Sequence, residues 1–94
     1  MAMNVDGLVL ATVNSSWKHS LDAEQLALAV TEGQTADYLP QLATFYGEVS
    51  PKLVLSFAAA HEIAPKALSA TYQQVKQLTG EANPALELLL VALD

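Results

Sequence analysis

Ninety-four residues hold one hydrophobic core, so positions 1–94 are expected to form a single domain. A formal net charge of −6, four lysines set singly and no arginine argue against nucleic acid and against an anionic membrane surface. With no cysteine there are no disulfides, thiolate metal sites or cysteine nucleophiles.

The chain opens "MAMNVDGLVLATVNSSW", without a basic leader region, and its apolar run from Leu8 to Val13 is short for a signal peptide. No run approaches the length of a membrane-spanning helix. A soluble, cytoplasmic protein is the expectation. Sixteen alanines and sixteen leucines outweigh nine valines plus isoleucine, which favours helix over strand.

Six short helices are predicted. The first spans 6–18. The second, 22–32, sets Leu26 and Val30 on one side and places Asp22 and Glu24 at its positive dipole end. The third, 38–46, carries Tyr38, Leu42 and Phe45 on one stripe, with Asp37 as its cap and Pro40 in its first turn. The fourth, 51–62, starts at Ser50-Pro51, a capping residue followed by a proline whose missing N–H costs nothing there.

The fifth, 65–78, follows Ala64-Pro65 and has the clearest helical period. Leu68, Tyr72, Val75 and Leu78 form one face, opposite Lys66, Ser69, Gln73 and Lys76. The sixth, 84–93, is capped by Asn83 and begun by Pro84. Gly33, Gly47 and Gly80 fall where helices should stop.

The fold class expected is therefore all-α, a compact orthogonal array of five to six short helices. Its core is Leu26, Val30, Leu42, Phe45, Leu53, Phe57, Leu68, Tyr72 and Val75. An internal echo supplies the alternative. "LVLATVNSSWKH" (8–19) and "LVLSFAAAH" (53–61) both run from Leu-Val-Leu to a histidine. Read as strand–loop–helix units, with "ALELLLVAL" (85–93) as a third strand, they make a small α/β domain. Its strand ends would gather Asn14, Trp17, His19 and His61 into a ligand-binding or enzymatic site.

Other chemistry has little to stand on. Only Asp22 follows a histidine, His19, at a helical ligand spacing, so no metal site is expected. Ser15, Ser16 and Ser20 flank a helix break, where hydroxyls serve as caps, and no nucleophile-elbow motif surrounds them. The glycines are isolated, so no phosphate-cradling loop exists and no cofactor is expected.

"HEIAPKALSATYQQVKQ" (61–77) is similar to the last turn and helix of bacteriocin immunity proteins. "VDGLVLATVNSSWKHSLDAEQL" (5–26) with "LATFYGE" (42–48) resembles the helical half of COMM-domain proteins. Both likenesses rest on common residue types over part of the chain, and neither is taken as a family assignment.

The function expected is a non-enzymatic protein–protein interaction module: an adaptor, immunity-type or assembly subunit. An apolar fraction of 52% against 15% charged leaves little polar surface for a monomer, which points to a homo-oligomer or a protein partner. The sixth helix is the expected interface. Glu87 is its one charge, and a terminal helix apolar all round has more faces than one small domain covers. Leu88, Leu89, Val91 and Leu93 are the candidates for the unused face.

Overall fold

Proline decides where several of the helices begin. The computed structural model describes residues 5–15 and 20–93. They form α1 (Val5–Val13), α2 (Ala23–Thr31), α3 (Leu39–Gly47), α4 (Pro51–Ala60), α5 (Pro65–Thr79) and α6 (Pro84–Leu93). Pro51, Pro65 and Pro84 each take the first helical position.

At α4 the Ser50 side chain accepts the Leu53 N–H at 3.3 Å, and at α6 the Asn83 amide oxygen accepts the Leu86 N–H at 3.2 Å. Asp22 and Gln25 close a reciprocal capping box on α2, at 2.8 and 3.1 Å. The start of α3 departs from expectation. Its cap is Tyr38, with no side-chain bond, and Asp37 lies one residue too early, in the preceding turn.

No strand occurs among the described residues, so the α/β alternative is overturned. "LVLSFAAA" is the body of α4. Capped by Ser50 and started by Pro51, it winds with a 3.6-residue period that buries Val54, Phe57 and Ala58. "ALELLLVAL" is α6.

The helices do not follow an up-and-down course. α1 packs on α3 and α4, and α2 on α5; α3 also meets α5, and α6 rests on α4 and α5. Overall extents of 31 × 29 × 21 Å suit short helices stacked in several directions rather than one long bundle. The most enclosed helix is α3, where Gln41, Leu42, Thr44, Phe45 and Tyr46 are all buried.

Phe45 meets the edges of both Tyr46 and Phe57, and Tyr46 meets Tyr72, at centroid distances of 5.0–5.6 Å. The Tyr46 hydroxyl donates to the Leu68 carbonyl at 3.0 Å, so the ring carries its polar end into the core without leaving it unpaired.

Every expected core residue is buried except Leu53, which is half-buried. Leu78 leaves the stripe expected for it and is 57% exposed. Along α5 the inward direction passes from Val75 to Thr79, four residues on, and Leu78 falls about 80° to one side.

Two helices end in the same way. At α2, Gln34 N–H reaches Ala29 O and Gly33 N–H reaches Val30 O; at α4, Ile63 N–H reaches Ala58 O and Glu62 N–H reaches Ala59 O. The left-handed residue is Gly33 (φ 64°) in the first and Glu62 (φ 54°) in the second.

Candidate functional site

The outer face of α6 is made by the register of its apolar residues. Leu86 and Leu90, four apart, point inward and are 0% and 4% exposed. Two residues beyond Leu86 the helix has turned about 200°, which carries Leu88 outward; Val91 follows at three further residues on the same side. Leu88 is 74% exposed and Val91 72%. Ala85 and Ala92 flank them, also exposed. Of the other two candidate residues, Leu89 is half-buried on the flank, and Leu93 is partly exposed where the helix ends.

The only charge on α6, Glu87, flanks this face one turn before Val91 and is tied to α5. Glu87 Oε2 accepts the Tyr72 hydroxyl at 2.6 Å and approaches Lys76 Nζ at 3.4 Å, both on α5. The Tyr72 oxygen accepts the Asn83 N–H at 2.8 Å, and the Asn83 amide donates to the Tyr46 carbonyl, also at 2.8 Å. Hydrogen bonding from Tyr72, aided by the Lys76 charge, holds the Glu87 carboxyl below its ordinary value. Burial, then the bond to Glu87, pushes Tyr72 above the usual phenol range; burial alone raises Tyr46.

His61 and Asn14 serve two different places. His61 is the C-cap of α4, its ring 4.4 Å from Phe57, and its Nε2 lies 2.8 Å from Asp6 Oδ1 at the start of α1. Asn14 lies past the other end of α1, about 12 Å of helical rise from Asp6. It donates to the Leu21 carbonyl at 2.8 Å and accepts the Leu21 N–H at 3.0 Å, clamping the two ends of the α1–α2 connection. Trp17 and His19 lie outside the described residues.

A concavity that the residue-by-residue reading missed lies where α3 and α5 end. A cavity of about 490 Å³ runs over Tyr46, Tyr72 and Ala82, and an adjoining one of about 430 Å³ runs over Pro40 and Glu48. Ala43, Gly47, Thr79 and Glu81 line both, so the two are one groove. The signal was present as a repeated dipeptide, since Gly47-Glu48 and Gly80-Glu81 each close a helix.

Among the described residues, no helix is long and apolar enough to cross a membrane. Comparison with protein-family models, characterised proteins and solved structures finds no match to this chain.

Proposed function

We propose that this chain is a non-enzymatic interaction module that self-associates, its α6 helices meeting across a two-fold axis. The observation that carries the reading is the exposure of Leu88 and Val91 on a helix whose opposite face is already in the core. Solvation of two large neighbouring aliphatic side chains, on a face whose one flanking charge is tied to α5, is unfavourable, and a second copy offers the same face in return.

A standard dimer interface removes about 800 Å² from each partner. That is about one-seventh of this chain's 5623 Å² surface, so it needs the α6 face and its surroundings together. Burying Leu88 and Val91 in both copies is worth roughly 6–12 kcal/mol before association costs of about 4–15 kcal/mol. The dimer is therefore weak, in the micromolar range or above.

Two chains of net charge −6 repel, so added salt strengthens the dimer. Light scattering and sedimentation on the purified protein test the reading. A concentration-dependent dimer that Leu88→Glu converts to a folded monomer supports it. A wild-type chain that stays monomeric at high micromolar concentration removes it.

A further inference from the structure

We infer that the groove between the C-termini of α3 and α5 receives a short segment of a protein partner carrying lysine or arginine beside small apolar residues. Four observations converge on that occupant.

The first is electrostatic and comes from the backbone. α3 ends at Gly47 and α5 at Thr79, and both residues line the groove. Each helix C-terminus carries a partial negative charge, reduced where last-turn carbonyls are already paired, as Tyr46 is by Asn83. Two such ends directed at one concavity attract a cation.

The second is the side chain placed just past each end. Glu48 caps α3 and Glu81 follows the Gly80 cap of α5, and both are exposed. Among the described residues neither has an ion-pair partner, the two ion pairs being His61–Asp6 and Lys76–Glu87. α3 has no basic residue in its last turn, and the Lys76 of α5 is held by Glu87. No lysine lines the groove. The Asn83 amide satisfies the Tyr46 carbonyl in the last turn of α3, but no cation of the chain among the described residues lines the groove to balance the two carboxylates.

The third is the floor. Ala43, Gly47 and Ala82 are small, and a Cβ added at Gly47 would meet nothing within 4 Å. Small apolar side chains or a methylene stem can lie there while a cationic head reaches the carboxylates. The volumes fall within the roughly 300–1000 Å³ of ligand sites, and two joined cavities suit an elongated segment.

The fourth observation selects against a second copy. This chain offers four lysines and no arginine at net charge −6, so its surface complements the groove poorly. The groove also uses none of Leu88, Leu89, Val91 or Leu93. It can therefore stand or fall independently of the α6 dimer.

Amide chemical shifts of isotope-labelled protein, titrated with a short amidated peptide of leucine, alanine and lysine, test the inference. A control peptide has glutamate in place of lysine. The labelled protein carries Leu88→Glu, so self-association does not overlay the signal. Saturable shifts are expected at Ala43, Gly47, Thr79 and Ala82 with the lysine peptide and not with the glutamate peptide. The double substitution Glu48→Gln with Glu81→Gln should weaken binding about tenfold, with each single substitution contributing a part.

Added salt should weaken peptide binding, the reverse of its effect on the dimer. No shift at millimolar peptide overturns the proposal. So do shifts confined to other residues, equal binding of the glutamate peptide, or affinity untouched by the two glutamine substitutions.

Discussion

Helices α5 and α6 lie against each other, yet their sequences divide apolar residues in opposite ways. In α5 the buried residues Leu68, Thr71, Tyr72 and Val75 make one stripe, and Lys66, Gln73, Gln74 and Gln77 face water. Folding of one chain satisfies both faces. In α6 the inward pair Leu86 and Leu90 is as well buried, but the outward side repeats the same chemistry with Leu88 and Val91. Its run of leucines, taken alone, would put α6 at the centre of the molecule. Packing puts it at the edge, with α4 and α5 on its inner side. Composition states how much surface a helix would bury; topology states how much it can.

The sharpest way to break this comparison is within α6. Leu86→Ala should lower unfolding free energy by about 2–5 kcal/mol, because it opens a cavity at a site with no exposure. Leu88→Ala, two residues on, should change the stability of the dilute monomer by less than about 0.5 kcal/mol. Urea midpoints at low protein concentration measure both. Equal losses would mean that α6 is enclosed on both faces, and the contrast with α5 would disappear.

Changes of pH act on the seam between the two helices and on Tyr46 of α3 behind it. The Glu87 carboxyl is held below its ordinary 4.5, so its contribution is present above that value and is lost as pH falls through the folded value. Tyr46 and Tyr72 are held above their ordinary 10.0, so their contribution is present below pH 10 and declines as pH rises past it. Denaturant midpoints across pH should therefore fall off at both ends. Tyr72→Phe should flatten part of each limb, since it removes the phenol and the bond that lowers Glu87. Unchanged limbs in that variant would place the pH dependence elsewhere.

A small effect of opposite sign lies at the entry to α5 and leaves α6 alone. Glu62 occupies the left-handed position that Gly33 fills at the end of α2. Glu62→Gly relieves a conformation costing roughly 1–2 kcal/mol and adds chain entropy to the unfolded state, for a net gain of about 0.5–1 kcal/mol. A rise in Tm with unchanged oligomeric state is the expected result. A fall would mean that the Glu62 side chain contributes more than its backbone strain removes.

Much of this architecture was legible because punctuation in the chain is chemical. Ser50-Pro51, Ala64-Pro65 and Asn83-Pro84 mark helix starts that the fold keeps, and Gly33 and Gly80 mark ends. Asp37 misled because a capping carboxylate is useful only directly before the first turn, and that turn starts at Leu39, after Tyr38. Leu78 misled because a three-residue step drifts off a 3.6-residue stripe by the last turn.

The echo does not gather a site from its described residues: both Leu-Val-Leu runs are helical, His61 closes α4 against Asp6, and Asn14 clamps the far end of α1. The groove shows in the sequence only as the repeated Gly-Glu dipeptide, which does not say that the two ends meet. It joins the ends of α3 and α5, which are more than thirty residues apart, and only the non-sequential packing of these helices brings Glu48 and Glu81 to one rim. The exposed side of α6 could be read because it is local, needing only the spacing of four residues within one helix.

Asn83 gives α6 the mechanics of a cantilever. Its backbone N–H is bonded to Tyr72, its amide nitrogen to Tyr46 and its amide oxygen to Leu86 N–H, so the root of the helix is fixed in three directions. The last inward anchor is Leu90, and Val91 and Leu93 project beyond it. Displacement of such a beam grows toward its tip, so amide exchange should quicken steadily from Leu86 to Leu93. A surface arriving at Leu88 meets a stiff support, and one arriving at Val91 meets a compliant one that can tilt to fit.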